Sequence, residues 1–196
     1  MIDYDPSTAL LVVDVQNDFA DAKGSLYVRQ GERVVPVVNE EIAFALEGGA
    51  LVVYTQDWHP EVTPHFQKDG GIWPVHCVAE SWGAEFHPDL RVVADAPVIR
   101  KGADGRDGYS AFSVRDPRSG DVEATRLESL LRERGIETIA IAGLATDYCV
   151  VETVLDARRL GHRTIVIEPA VRAVDLQAGD GERAFRRIRE AGAELA

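Results

Sequence analysis

Short apolar runs, each bounded by polar or glycine-bearing stretches, mark five predicted strands. The runs are four to six residues long and rich in Val, Ile and Leu. This length and composition are typical of strands that are buried on both faces of a parallel sheet. The predicted strands cover residues 10–14, 50–54, 97–100, 138–143 and 164–167.

Apolar residues at helical spacing predict four helices that alternate with the strands. They cover residues 32–46, 123–134, 147–161 and 181–191. Asp147 is the predicted N-cap of the third helix, because a carboxylate there can accept hydrogen bonds from unpaired N–H groups. Residues 56–95 instead form a long irregular segment rich in His, Trp and Pro, and ordered segments of that length are usually functional.

The alternation of strands and helices predicts an α/β fold with three layers, in which helices cover both faces of a central, mostly parallel sheet. The length of 196 residues allows one domain, residues 1–196, with a sizeable core. In such sheets, ligands bind beyond the carboxyl ends of the strands. The ends of four predicted strands place reactive residues at that edge: Asp14, then Asp57 and His59 just past the second strand, Lys101, and Cys149.

Charge and cysteine content narrow the class of protein. The chain has 21 basic and 33 acidic residues and a formal net charge of −12. This balance argues against nucleic acid as a partner, because phosphate binding needs a basic face. No apolar run approaches the roughly 20 residues of a membrane span, and residues 1–5 lack the layout of a secretory signal. Two Cys cannot form a disulfide framework, so we expect a reducing, cytoplasmic setting.

Cys149 is the candidate nucleophile. It lies near the start of a predicted helix, where N–H groups and the helix dipole favour a thiolate and can hold an oxyanion. Asp14 is the candidate general base, and Lys101 is the cation that favours the ionised forms of this pair. Each residue also has an ordinary interpretation: a buried apolar side chain for Cys149, a capping or Arg-paired carboxylate for Asp14, and a surface charge for Lys101.

Asp57, His59, His65 and His76 form a candidate metal site. Asp57 and His59, at positions i and i+2, face the same side of an extended segment. One carboxylate and three imidazoles suit a borderline divalent ion such as zinc, iron, manganese or cobalt. Loop histidines that only form hydrogen bonds are the alternative. Cys77, directly after His76, is either a further ligand or an inert buried thiol, and the inert interpretation is favoured because adjacent residues rarely point at one ion.

Phe19, Trp73 and Tyr109 are aromatic residues near these groups. Each has an ordinary interpretation as a core residue. If they line one cleft, they hold a flat ring between apolar faces. A ring slot beside a metal and a thiolate suits a small aromatic amide.

Five motifs span nearly the whole chain: VVDVQNDF at 12–19, TQDWH at 55–59, WPVHC at 73–77, KG at 101–102 and GLATDYC at 143–149. Together they resemble the nicotinamidases and pyrazinamidases of the isochorismatase-like cysteine hydrolase superfamily, and they occur in the order found there. The first and last motifs resemble the superfamily as a whole. The Asp-x-His, His and Trp-Pro-x-His set narrows the resemblance to the nicotinamidases and pyrazinamidases.

The resemblance implies an isochorismatase-like fold and an amidohydrolase that converts nicotinamide to nicotinate and ammonia through a Cys thioester. Cys149, Asp14 and Lys101 would be its catalytic triad. The resemblance also implies a cis peptide between Leu144 and Ala145, and an oxyanion held by the backbone N–H groups of Ala145 and Cys149. Such an enzyme serves NAD salvage and pyridine nucleotide biosynthesis.

The resemblance further implies one divalent metal ion, zinc, iron or manganese, that orients the pyridine ring. Its ligands would be Asp57, His59, His65 and His76. Four aromatic residues would contact the ring: Phe19, Trp73, Tyr109 and Tyr148. Tyr148 departs from the His found at this position in many relatives, which bears on substrate preference. Pyrazinamide is an expected second substrate because its ring has nearly the same shape, and both a monomer and a homo-oligomer are compatible with the resemblance.

Two other functions are compatible with these residues. A sister cysteine hydrolase would act on another small amide or a carbamoyl compound, whereas an isochorismatase-type vinyl-ether hydrolase needs neither the Cys nor the metal set. A non-catalytic binding module stabilised by a metal is the second alternative. A panel of small amides in an ammonia-release assay distinguishes them.

Overall fold

The computed structural model describes residues 2–196. The strands are β1 (Thr8–Val13), β2 (Leu51–Asp57), β3 (Val98–Lys101), β4 (Ser113–Arg115), β5 (Val122–Ala124), β6 (Thr138–Leu144), β7 (Arg163–Arg172) and β8 (Glu194–Leu195). Six of them form a sheet with the strand order β3-β2-β1-β6-β7-β8, and every strand pair in this sheet is parallel. A separate antiparallel hairpin joins β4 and β5.

Five α-helices connect and cover the strands: α1 (Asn17–Ala20), α2 (Val34–Glu47), α3 (Leu127–Glu133), α4 (Val151–Arg159) and α5 (Asp180–Glu190). A π-helical turn, Thr146–Val150, leads directly into α4. None of the helices within residues 2–196 is both long enough and apolar enough to cross a bilayer.

Alternate residues of β1 enter two different hydrophobic cores. Leu10 packs into the core that includes Ile42 of α2. Leu11 packs into the opposite core, with Val154 of α4 and Ile188 of α5. Because side chains alternate across a strand, this arrangement places helices on both faces of the sheet. The predicted three-layer α/β/α architecture is therefore confirmed.

The predicted helix 123–134 is wrong at its start, since α3 begins only at Leu127. Residues Val122–Ala124 instead form β5, which pairs with β4. Thr125 separates the two elements: its N–H donates to the carbonyl of Phe112, and its hydroxyl accepts from the N–H of Leu127. The sequence did not predict β4, β5 or the two-residue strand β8. Such short strands carry almost no periodic signal.

Asp147 does not cap a helix, contrary to the sequence prediction. Its two carboxylate oxygens accept hydrogen bonds from the backbone N–H groups of Val174 and Asp175, both at 2.9 Å. The side chain therefore fastens the segment after β7 to the turn that carries Cys149. Residues 56–95 are irregular as predicted, apart from the end of β2 and short 3-10 turns at Gln67–Asp69 and Trp82–Ala84.

Candidate active site

The carboxyl ends of the central strands bring four reactive side chains together. Lys101 is the last residue of β3, and Asp57 is the last residue of β2 rather than the residue past it. These two residues are direct partners in the strand register. Asp14 follows β1, and Cys149 lies in the turn after β6. All four are buried.

Lys101 is the central cation of this cluster. Its Nζ lies 2.6 Å from Asp14 Oδ2, 2.9 Å from Asp57 Oδ1 and 3.3 Å from Cys149 Sγ. It also donates to the carbonyl of Tyr109 at 3.2 Å. The neighbouring Arg100 points the other way, as strand alternation requires. Lys101 is therefore not a surface charge.

A second side chain orients Asp14, which has a positive φ of 48°. The hydroxyl of Thr55 donates to Asp14 Oδ1 at 2.5 Å and accepts from the Asp14 N–H at 3.1 Å. Thr55 lies on β2, the strand adjacent to β1. Its role was not predicted from the sequence, because a buried Thr within a strand is indistinguishable from a packing residue there.

Burial and charge set the ionisation of the cluster. Burial raises the pKa of Cys149 well above its usual range, although Lys101 opposes the shift. Burial likewise raises the pKa of Asp14, again against Lys101. Burial by itself lowers the pKa of Lys101, but Asp14, Asp57 and Cys149 raise it well above its usual range. Burial thus favours the thiol form of Cys149, whose proton a base such as Asp14 must take before the sulfur attacks.

The three predicted histidine ligands converge beside this cluster. The nitrogens that His59, His65 and His76 can offer an ion lie within 4.8 Å of one another. Asp57 Oδ2 is 3.8 Å from His59 Nε2 and 3.9 Å from His76 Nε2. Within residues 2–196, neither ring nitrogen of the buried His59 finds a hydrogen-bond partner. Buried polar atoms are rarely left in that state, so the donor set fits a bound divalent ion.

The ionisation of the candidate ligands suits cation binding. Burial lowers the pKa of His76 to about 4, so its ring is neutral at neutral pH. Its Nδ1 lies 2.7 Å from the carbonyl of Pro74, which leaves Nε2 as the free donor atom. Burial would raise the pKa of Asp57, but Lys101 and the imidazoles of His59 and His76 hold it well below its usual range. Asp57 is therefore anionic.

Two further polar residues hold the site but were missed by sequence reasoning. The Gln16 side chain donates to the carbonyl of Asp57 at 2.8 Å and accepts from its N–H at 2.8 Å. Asp107 Oδ1 lies 2.9 Å from His65 Nδ1. The VVDVQNDF motif contained a signal for Gln16, whereas nothing near Asp107 in the sequence singled it out.

An aromatic cavity opens onto both clusters. The indole N–H of Trp73 donates to the hydroxyl of Tyr109 at 2.9 Å. The Tyr148 ring lies edge-on to Trp73, with 4.9 Å between centroids. The cavity lining includes all four predicted ring-contacting residues, together with Ala145, Cys149, Asp57, His65 and His76; Leu26, Val28, Leu144 and Val174, also in the lining, were not predicted. The peptide bond between Leu144 and Ala145 is cis, as the resemblance implied.

Cys77 lies outside the candidate metal-binding cluster. Its backbone N–H donates to the buried carboxylate of Asp18 at 2.7 Å, and its sulfur lies 3.7 Å from the carbonyl of Gly83. Burial raises its pKa well above the usual range. Because the Cys77 side chain is 0% exposed, its sulfur is out of reach of reactants, in agreement with the sequence interpretation of an inert thiol.

Comparison with known proteins relates this geometry to a family. A model of the isochorismatase domain matches residues 8–196. The nicotinamidase of Escherichia coli (strain K12) is 40% identical over 206 residues, covering 97% of this chain and 94% of that protein. The pyrazinamidase of Pyrococcus horikoshii in complex with zinc superposes with a TM-score of 0.87 at 38% identity, covering 97% of this chain and 99% of that one. PnC1 from L. infantum in complex with nicotinate has a TM-score of 0.88 at 33% identity, covering 100% of this chain and 95% of that one.

Proposed function

This chain belongs to the isochorismatase family, and we propose that it hydrolyses nicotinamide to nicotinate and ammonia. One observation carries the proposal: Cys149 and the metal-binding residues Asp57, His65 and His76 line the same aromatic cavity. A nucleophile and an ion site that share a slot for a flat ring suit an amide attached to a pyridine. Pyrazinamide fits the same slot, and residues 1–196 act as one hydrolase domain.

The acylation step uses Asp14 as the base. Asp14 takes the proton of the Cys149 thiol while sulfur forms a bond to the amide carbon. The carbonyl oxygen becomes an oxyanion that the backbone N–H groups of Ala145 and Cys149 hold. Asp14 then gives the proton to the amide nitrogen as the C–N bond breaks, so ammonia leaves and a thioester remains. Lys101, 2.6 Å from Asp14, holds the carboxylate in its reactive position.

Hydrolysis of the thioester reverses these roles. Asp14 takes a proton from water as the water oxygen bonds to the thioester carbon. The C–S bond breaks, Asp14 returns the proton to sulfur, and nicotinic acid leaves and releases its own proton to water as nicotinate. The pyridine ring stays against the aromatic residues of the cavity throughout, namely Phe19, Trp73, Tyr109 and Tyr148. Tyr148, which is half-buried and lines the same cavity, is placed to select among ring substituents.

Asp57, His59, His65 and His76 would hold one divalent ion, and zinc, iron and manganese all fit this donor set. A bound ion would act as a Lewis acid toward the ring nitrogen of the substrate. The two cysteines of the described chain are free thiols. Because the reaction needs a reduced Cys149, we place the enzyme in the cytoplasm, with a small-molecule amide as its partner.

Steady-state ammonia release from purified protein tests the function. We expect kcat/KM for nicotinamide and pyrazinamide to exceed that for aliphatic amides, and Cys149→Ala to abolish turnover. Cys77→Ala is the matched control and should retain activity. Removal of the metal with a chelator should reduce turnover, and added zinc, iron or manganese should restore it. Preference for another amide would favour a sister hydrolase, and wild-type turnover by Cys149→Ala would refute the mechanism.

A further inference from the structure

A carboxylate outside the candidate ligand set contacts one of the ligands. Asp107 Oδ1 lies 2.9 Å from His65 Nδ1. The His65 side chain is 4% exposed and that of Asp107 is 32% exposed, so the contact is partly shielded from water. Asp107 comes from the segment after β3, 42 residues along the chain from His65.

The β4–β5 hairpin holds Asp107 in place. The Asp107 N–H donates to the carbonyl of Arg115 at 2.7 Å, and the Arg115 N–H donates back to the carbonyl of Asp107. The N–H of Gly108 donates to Asp107 Oδ1 at 2.7 Å. A Cβ at Gly108 would lie 2.8 Å from the carbonyl of Ser113, so the close approach of this segment to β4 requires glycine. The carboxylate is therefore fixed before any ion binds.

His65 depends on such a partner more than the other ligands do. It lies in the irregular segment between β2 and β3, whereas Asp57 is fixed by its strand. His59 is confined by packing, since a Cβ at Gly102 would lie only 2.6 Å from its Nδ1. His76 has the carbonyl of Pro74 on Nδ1. Within residues 2–196, His65 is the one histidine of this cluster whose ring nitrogen pairs with a carboxylate at hydrogen-bond distance.

We propose that Asp107 is a positioning residue of the metal site, which selects the His65 tautomer and turns Nε2 toward the ion. A carboxylate accepts a hydrogen bond from Nδ1–H, so the lone pair that can bind a cation is left on Nε2. The negative charge also makes the imidazole a stronger donor. Asp107 contacts the ring at Nδ1 rather than at Nε2, and so is not itself a ligand. The inference rests on the proposed role of His65 as a metal ligand.

The test measures zinc dissociation constants by competition with a chromophoric chelator, in wild type and four variants. We expect Asp107→Ala to weaken zinc binding about 10- to 100-fold, the usual effect of losing such a partner. Asp107→Asn should weaken zinc binding less, since an amide oxygen still accepts a hydrogen bond from Nδ1–H. Asp104→Ala is the matched control: it removes a carboxylate of the same segment that pairs with Arg106, and should leave zinc affinity unchanged. His65→Ala reports the contribution of the ligand itself.

The outcomes separate this inference from the proposed ligand set. Zinc affinity of both Asp107 variants within twofold of wild type, with His65→Ala clearly weakened, would overturn the positioning role and leave the ligand set intact. Unchanged affinity in His65→Ala would refute the ligand set and the inference with it. Weakening in Asp107→Ala, a smaller loss in Asp107→Asn and none in Asp104→Ala would support the role, whether or not the protein turns over nicotinamide. Cobalt-loaded Asp107→Ala should also show an altered visible absorption spectrum.

Discussion

Replacing Lys101 by Met removes the cation that three buried groups share. Its Nζ lies 2.6 Å from Asp14 Oδ2, 2.9 Å from Asp57 Oδ1 and 3.3 Å from Cys149 Sγ. Met fills a similar volume without the charge, so the main consequence is electrostatic. Two carboxylates would remain buried with no ammonium group between them.

The size of the effect follows from these positions. A carboxylate oxygen of Asp14 and one of Asp57 lie within 4.8 Å of each other. Two negative charges at that separation repel by about 3–4 kcal/mol at an effective dielectric constant of roughly 20. Removal of one partner of a buried ion pair typically lowers the free energy of unfolding by about 3–5 kcal/mol. We therefore expect Lys101→Met to lower the free energy of unfolding of the metal-free protein by about 3–5 kcal/mol at pH 8, and to abolish turnover.

The deficit should shrink as the pH falls. Burial raises the pKa of Asp14 in the folded state even with Lys101 present, and loss of Lys101 raises it further. A carboxyl whose folded pKa is raised favours folding while it is protonated, and this contribution is lost as pH rises through the folded pKa. The variant should thus be closer to wild type at pH 5 than at pH 8.

Urea unfolding of chelator-treated protein at both pH values measures the effect. Lys68→Met is the matched control, because Lys68 also pairs with a carboxylate, Asp69 at 2.8 Å, but is 44% exposed. Such surface pairs contribute about 0–1 kcal/mol. The reasoning would be refuted if Lys101→Met were as stable as Lys68→Met at pH 8. It would also fail if adding Asp14→Asn to Lys101→Met recovered no stability.

Two further predictions concern pH dependence and the substrate cavity. Burial lowers the pKa of His76 to about 4, so the unfolded state binds more protons than the folded state between pH 6.5 and 4. As the pH falls through that window, the free energy of unfolding of the metal-free protein should decrease by about 3 kcal/mol. His76→Gln should make the free energy of unfolding depend less steeply on pH. An unchanged pH dependence of this variant, measured by urea unfolding, would contradict the assignment. Asp147→Ala removes the acceptor for the N–H groups of Val174 and Asp175; because Val174 lines the cavity, KM for nicotinamide should rise several-fold with little change in kcat. Equal KM values for Asp147→Ala and wild type would show that this anchor does not shape the cavity.

The chain path explains why some supporting residues could not be predicted. Thr55 contacts Asp14 across 41 residues of sequence, and Gln16 contacts Asp57 across 41. Neither contact leaves a periodic signal, because each depends on which strands become neighbours. The helix predicted from residue 123 failed for a similar reason, since pairing with β4 made residues 122–124 a strand.

The sequence by itself determined five of the six strands of the sheet and the edge at which the candidate site lies. Strands buried between two layers of helices must be apolar throughout, so their positions are legible along the chain. Their carboxyl ends share one edge, so Asp14, Lys101 and Cys149 can be assigned to it without coordinates. Only the tertiary structure decided how these groups ionise and what holds them. The pKa of the Cys149 thiol is raised because the side chain is buried, and Asp107 reaches His65 because Arg115 of a separate hairpin holds its backbone there. Burial and long-range contact are properties of the folded packing, which local sequence patterns do not encode.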